Sequence, residues 1–131
     1  MMIFEENTTN MRKFDLEERL INFAVQIVEI TESMPKSYAG SHLSNQLLRS
    51  GTSPALNYGE AQSGESRKDF IHKIKIVLKE LRESHVCMKI IQRAKLFKSE
   101  EILTNTMTEC NELISIFVKS IETAQKNLSK E

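Results

Sequence analysis

"LRSGTSPALNYGEAQSGES", Leu48 to Ser66, decides the fold. Its first dozen residues hold two glycines, two serines, a proline, a threonine and an asparagine, a composition that reads as a loop. A structureless run of that length is out of place in a chain of 131 residues. Leu47, Gly51, Pro54, Ala55, Tyr58 and Ala61 fall on one side at helical spacing, while Gln46, Arg49, Ser53, Asn57 and Glu60 fall on another. The pattern runs on past Pro54 and predicts one helix from about Ser41 to Ser63. Pro54 removes a backbone donor, so a kink is expected near it. Two short helices meeting at "GTSP" are the alternative.

Working outward, "SRKD" is a capping-box variant, with Ser66 as cap and Asp69 three residues on. It opens a third helix reaching about Leu96, whose core face is Phe70, Ile74, Val77, Leu81, Met88 and Ile91. After "FKSEE", Ser99 caps a fourth helix that runs to about Leu128, with Leu103, Met107, Cys110, Ile114, Phe117 and Ile121 along its stripe. The first helix is expected from Asp15 to Ser33. It carries one stripe of Leu20, Phe23, Ile27 and Ile30, and a second of Ile21, Val25 and Val28. Pro35 stops it. Residues 1–13 read as a loose N-terminal arm and residues 14–131 as a single domain. The connections are short, so neighbouring helices run antiparallel. The expected architecture is an all-α, up-down-up-down four-helix bundle.

Composition agrees: four glycines, two prolines and abundant Leu, Ile, Lys and Glu favour helices over sheets. Net charge is zero, but its distribution is uneven. Residues 67–98 hold ten basic and three acidic groups, whereas residues 1–36 hold four and seven, and residues 99–131 hold three and six. A cationic segment in a neutral chain points to an anionic partner. Cys87 and Cys110 form no CxxC pair, and no signal-like or membrane-spanning apolar run is present, so the expected setting is the cytoplasm, away from membranes.

On helical projection Lys68, Lys75, Lys79, Arg82, Lys89 and Arg93, with His72, form one edge of the third helix. A long cationic edge suits the phosphates of RNA or DNA. The competing reading is a solvated or intersubunit face, since exposed helix faces are normally charged. No aromatic residue interleaves with the edge, so stacking on single-stranded bases is not expected. Ile76, Cys87, Ile90, Ala94 and Phe97 project away from the core face. With Ile21, Val25 and Val28 they suggest a subunit interface, with Ile21, Val25, Val28, Ile76, Ile90 and Phe97 as its residues and a second copy of the chain as partner.

Catalytic signatures are absent. There is no Glu-x-x-His pair, HExxH, P-loop or GxSxG pattern. No enzyme activity, metal or cofactor is expected. The row Arg49, Ser53, Asn57 and Glu60 reads as a buried or interfacial polar network that fixes how the helix docks, or alternatively offers the Arg49 fork to a phosphate. Cys87 and Cys110 read as core thiols.

The segment Leu43–Ser84 resembles the 23S rRNA-intervening-sequence protein family. The resemblance rests on Gln46-x-x-Arg49-Ser50, Ser53, Asn57, Glu60-Ala61, Ser66 and Asp69-Phe70, with weaker points at Phe23-Ala24 and Pro35-Lys36. It departs at Cys87-Met88. The resemblance implies a four-helix bundle without established enzyme activity. It also implies kinship with accessory proteins of diversity-generating retroelements, which form five-subunit barrels and bind nucleic acid and a reverse transcriptase. The function expected from these readings together is a homo-oligomeric bundle that binds RNA or DNA, with a pentamer as the assembly the resemblance implies. A scaffold that docks a partner protein is the alternative.

Overall fold

The computed structural model describes residues 2–64 and 66–130, with side chains from Asp15 onward. Four helices account for nearly all of them: α1 (Met2–Glu32), α2 (Tyr38–Gln62), α3 (Arg67–Arg93) and α4 (Glu100–Ser129). Each packs against two others, α1 on α2 and α4, and α3 on α2 and α4, which leaves α1 and α3 diagonal. Cross-helix pairs run in opposite order along neighbours. Leu43 meets Cys87 while Glu60 meets Lys73 on the α2–α3 side, and Leu81 meets Cys110 while Gln92 meets Thr104 on the α3–α4 side. α3 therefore runs antiparallel to both α2 and α4.

Local chemistry sets the boundaries. The Ser37 hydroxyl accepts from the Gly40 N–H, so α2 starts three residues before the Ser41 expected from sequence. Ser66 and Ser99 cap α3 and α4 as their sequences predict, accepting from the Asp69 and Ile102 N–H groups. The third helix ends at Arg93, short of Leu96. Ala94 is its C-cap, and Lys95 takes a left-handed φ of 56°. The Leu96 N–H returns to the Ile91 carbonyl and the Lys95 N–H to that of Gln92, a Schellman closure with lysine where glycine is usual. The backbone of α1 starts at Met2 and not at Asp15, since no glycine or proline stands between them to stop it. The arm expected over residues 1–13 falls on side chains outside the described residues.

The second helix passes through Pro54 as a single helix. Pro54 and Gly51 both face the core, and the Thr52 hydroxyl and Asn57 amide donate to the carbonyls of Leu48 and Ser53 around the proline turn. The alternative of two helices meeting at "GTSP" is set aside.

The core is one cluster. Leu20, Phe23, Ile27 and Ile30 of α1 meet Leu47 and Tyr58 of α2, Ile74, Val77, Leu81, Met88 and Ile91 of α3, and Leu103, Leu113 and Phe117 of α4. The Tyr58 and Phe117 rings meet edge to face across the α2–α4 diagonal, centroids 5.6 Å apart. Cys110 is fully buried there and Cys87 is buried too, as the core-thiol reading expects; the outward projection of Cys87 is corrected, because its side of α3 faces α2. Among the described residues no helix is long and apolar enough to cross a membrane.

Candidate nucleic-acid face and the α2–α3 polar seam

The six cations expected along α3 are all exposed: Lys68, Lys75, Lys79, Arg82, Lys89 and Arg93. From Lys68 to Arg93 the edge extends about 37 Å at 1.5 Å per residue. None of the six forms an ion pair among the described residues. In contrast, the cations at helix seams are paired. Arg19 of α1 grips Glu109 of α4 through two nitrogens at 2.6 and 3.0 Å and reaches Glu112 at 3.1 Å. Its guanidinium pKa is raised, first by the hydrogen bond to Glu109. Arg49 and Lys73 are likewise bound to carboxylates. Glu83, one turn on from Lys79, is held by Arg49 across the seam.

The outer surface of α3 is not purely cationic. Val86, 56% exposed, stands at the same angular position as Lys68 and Lys79, and Ile90, 48% exposed, lies one turn on. His85, on the α4 side, has its pKa lowered by burial and then by Lys89, which favours the neutral ring.

The row Arg49, Ser53, Asn57 and Glu60 does not join into one network. Within the row the Asn57 amide donates to the Ser53 hydroxyl at 2.7 Å and to its carbonyl at 3.0 Å. Arg49 turns to α3 and binds Glu80 at 3.0 Å and Glu83, so both terminal nitrogens of its fork are engaged across the seam. Glu60 binds Lys73 of α3. Between these pairs lies one that sequence reasoning missed: the Ser84 hydroxyl donates to the Ser50 hydroxyl at 2.9 Å, both fully buried. Glu80, 6% exposed, is the buried carboxylate of the seam. The signal for these partners was available in the polar residues Glu80 and Ser84 sitting among core positions of α3, but the helix rotation that brings Arg49 over them is not written in either helix alone. Arg49 and Glu60 thus make their contacts across to α3, while Ser53 and Asn57 bond to each other within α2.

Of the residues expected at an interface, Ile21, Val25 and Val28 are exposed on α1, Val25 to 49%, and Ile90 is exposed on α3. Ile76 is half-buried. Phe97 is a correction: it lies beyond the end of α3 and packs against the core cluster, so its ring is occupied within the bundle. Leu48 and Leu56 of α2 are exposed as well.

The Cys87 and Cys110 thiols are free. They donate to the Leu43 and Leu81 carbonyls at 3.7 and 3.2 Å. Burial raises both pKa values, Cys110 to about 12. No group of three or more His, Cys, Asp or Glu side chains suited to a metal occurs among the described residues.

Comparison with known proteins places this geometry. A family model described as "23S rRNA-intervening sequence protein" matches residues 12–119. A solved protein of unknown function from the S23 ribosomal protein family of Bacteroides thetaiotaomicron is 29% identical, with a TM-score of 0.75. The match covers 81% of this chain and 97% of that one. No curated protein matches.

Proposed function

The chain belongs to the 23S rRNA-intervening sequence protein family, and from that premise we propose that it is a non-enzymatic, self-associating bundle of the cytoplasm that binds RNA or DNA through the outer edge of α3. The observation that carries this reading is the contrast in pairing. Arg19, Arg49 and Lys73 at the seams are neutralised, while Lys68, Lys75, Lys79, Arg82, Lys89 and Arg93 face solvent without an ion pair among the described residues. Contacts to phosphates would dominate, so affinity is salt-sensitive and weakly dependent on sequence. Six phosphate contacts correspond to about a thousandfold loss of affinity between 50 and 200 mM salt.

Titration with mixed RNA and with duplex DNA at low and moderate salt tests it. The expected result is retention at low salt that falls steeply with salt and is abolished by Lys75→Glu, Lys79→Glu and Arg82→Glu together. Failure of the unaltered protein to retain either polymer at low salt overturns the reading.

A second reading is favoured by Val86 and Ile90. Branched aliphatic side chains within a cationic edge contribute little to phosphate binding and suit a protein surface. A scaffold that docks a partner protein would keep its association in the triple variant's nucleic-acid-free state.

A further inference from the structure

We propose that the outer face of α1 in one copy docks on the C-terminal half of the outer face of α3 in the next. This deepens the self-association reading above and rests on it. The face of α1 presents Ile21, Val25 and Val28 in a short apolar strip. Glu18, Glu29 and Glu32 stand around it, exposed and without ion pairs among the described residues. Within residues 15–32 the only cation, Arg19, is turned away to α4. The face of α3 is its counterpart: Val86 and Ile90 flanked by Lys89 and Arg93, again exposed and unpaired.

Each surface has a branched aliphatic centre; the α1 rim is acidic, and the α3 rim is basic apart from Glu83, whose charge Arg49 holds. That is the arrangement that favours one partner and rejects copies presenting the same face. The two faces lie on diagonal helices, so they cannot meet within one molecule. Joining them between molecules gives a heterologous contact, which propagates until a ring closes or continues as a chain. Lys68 and Lys75 lie at least about 16 Å from Val86 along α3 at 1.5 Å per residue. They stay free for phosphates, whereas Lys89 and Arg93, two of the six cations proposed to bind phosphates, are taken by the subunit contact in the assembled form.

Paired charge reversals measured by light scattering test the contact. One variant carries Glu18→Lys with Glu29→Lys, and the other Lys89→Glu with Arg93→Glu. Each alone is expected to fall to the mass of a single chain, 15.1 kDa. Mixed, they are expected to regain a multimer, because each retains the face the other lacks, and two misfolded proteins would not rescue one another. A multimer that survives Lys89→Glu with Arg93→Glu overturns this contact while leaving self-association standing. A wild-type protein of single-chain mass at micromolar concentration overturns both. Lys68→Glu with Lys75→Glu separates the nucleic-acid reading: it weakens RNA and DNA retention and leaves the multimer's mass unchanged. A loss of mass in that variant places the contact elsewhere on α3.

Discussion

Gly51 of α2 lies directly against Ile27 of α1: a β-carbon added at Gly51 would stand 2.7 Å from both Cγ1 and Cγ2 of Ile27. The glycine is there for close approach of two helices. Gly51→Ala is expected to destabilise the bundle by about 1–3 kcal/mol, and Ile27→Ala, which removes both γ-carbons, to cost less in that variant than in the unaltered chain. Gly59, on the same helix, has no atom within 4 Å of such a carbon. Gly59→Ala is expected to raise stability by about 1 kcal/mol through helix propensity alone. Thermal melts of the two variants, moving in opposite directions, check both statements.

Removing Arg49 strands the Glu80 carboxylate, whose side chain is 7% exposed. An unpaired buried charge is costlier than an absent pair. Arg49→Leu is therefore expected to lower the melting temperature by more than Arg49→Leu combined with Glu80→Leu. Equal losses in the single and double variants would show that solvent, and not Arg49, stabilises the carboxylate.

Lys95 holds a left-handed conformation that costs an ordinary side chain about 1 kcal/mol or more. Lys95→Gly removes that strain at a position already outside α3, so it is expected to stabilise by about 1 kcal/mol. Chemical denaturation should show a higher midpoint with an unchanged slope.

Acid should weaken the fold through His85. Its pKa is lowered in the folded state, so the unfolded chain binds the proton more readily. The stability that a neutral His85 contributes is fully present above the unfolded value near 6.5 and is lost as pH falls through the lower folded value. His85→Gln is expected to flatten that part of the stability profile, read from melts between pH 7.5 and 5.

The two thiols should resist alkylation in the folded protein. Cys110 is pushed up to about 12 and fully buried, and Cys87 is raised by burial too. At pH 8 the thiolate fraction of Cys110 is negligible. Mass spectrometry after iodoacetamide treatment should find both unmodified in native buffer and both modified in denaturant.

The features that sequence disclosed were those set within a few residues. The Ser66 and Ser99 caps depend on an N–H three positions away, and the continuity of α2 depends on apolar spacing that survives Pro54. The features it concealed depend on how one helix is turned toward another. Arg49 reads as one of a row until α3 brings Glu80 and Glu83 beneath it. Cys87 reads as outward because its side of the helix is one that only α2 covers. Phe97 was misplaced for a different reason: its angle was projected along a helix that had already ended at Arg93. The early start of α1 was hidden by Asp15, a good cap residue that here sits inside a continuing helix.

Helices that touch only through aliphatic ridges can ratchet past each other by a turn, since the ridges look alike at each step. The Ser50–Ser84 hydroxyl pair marks one step as the favoured one, because a slip would break it and leave each hydroxyl only a carbonyl of its own helix, Leu47 for Ser50 and Glu80 for Ser84. Arg49 and Glu60 add two more fixed points along the same joint. The helical hairpin from Tyr38 to Arg93 therefore has one favoured alignment of its own, and it is the frame on which α1 and α4 find theirs.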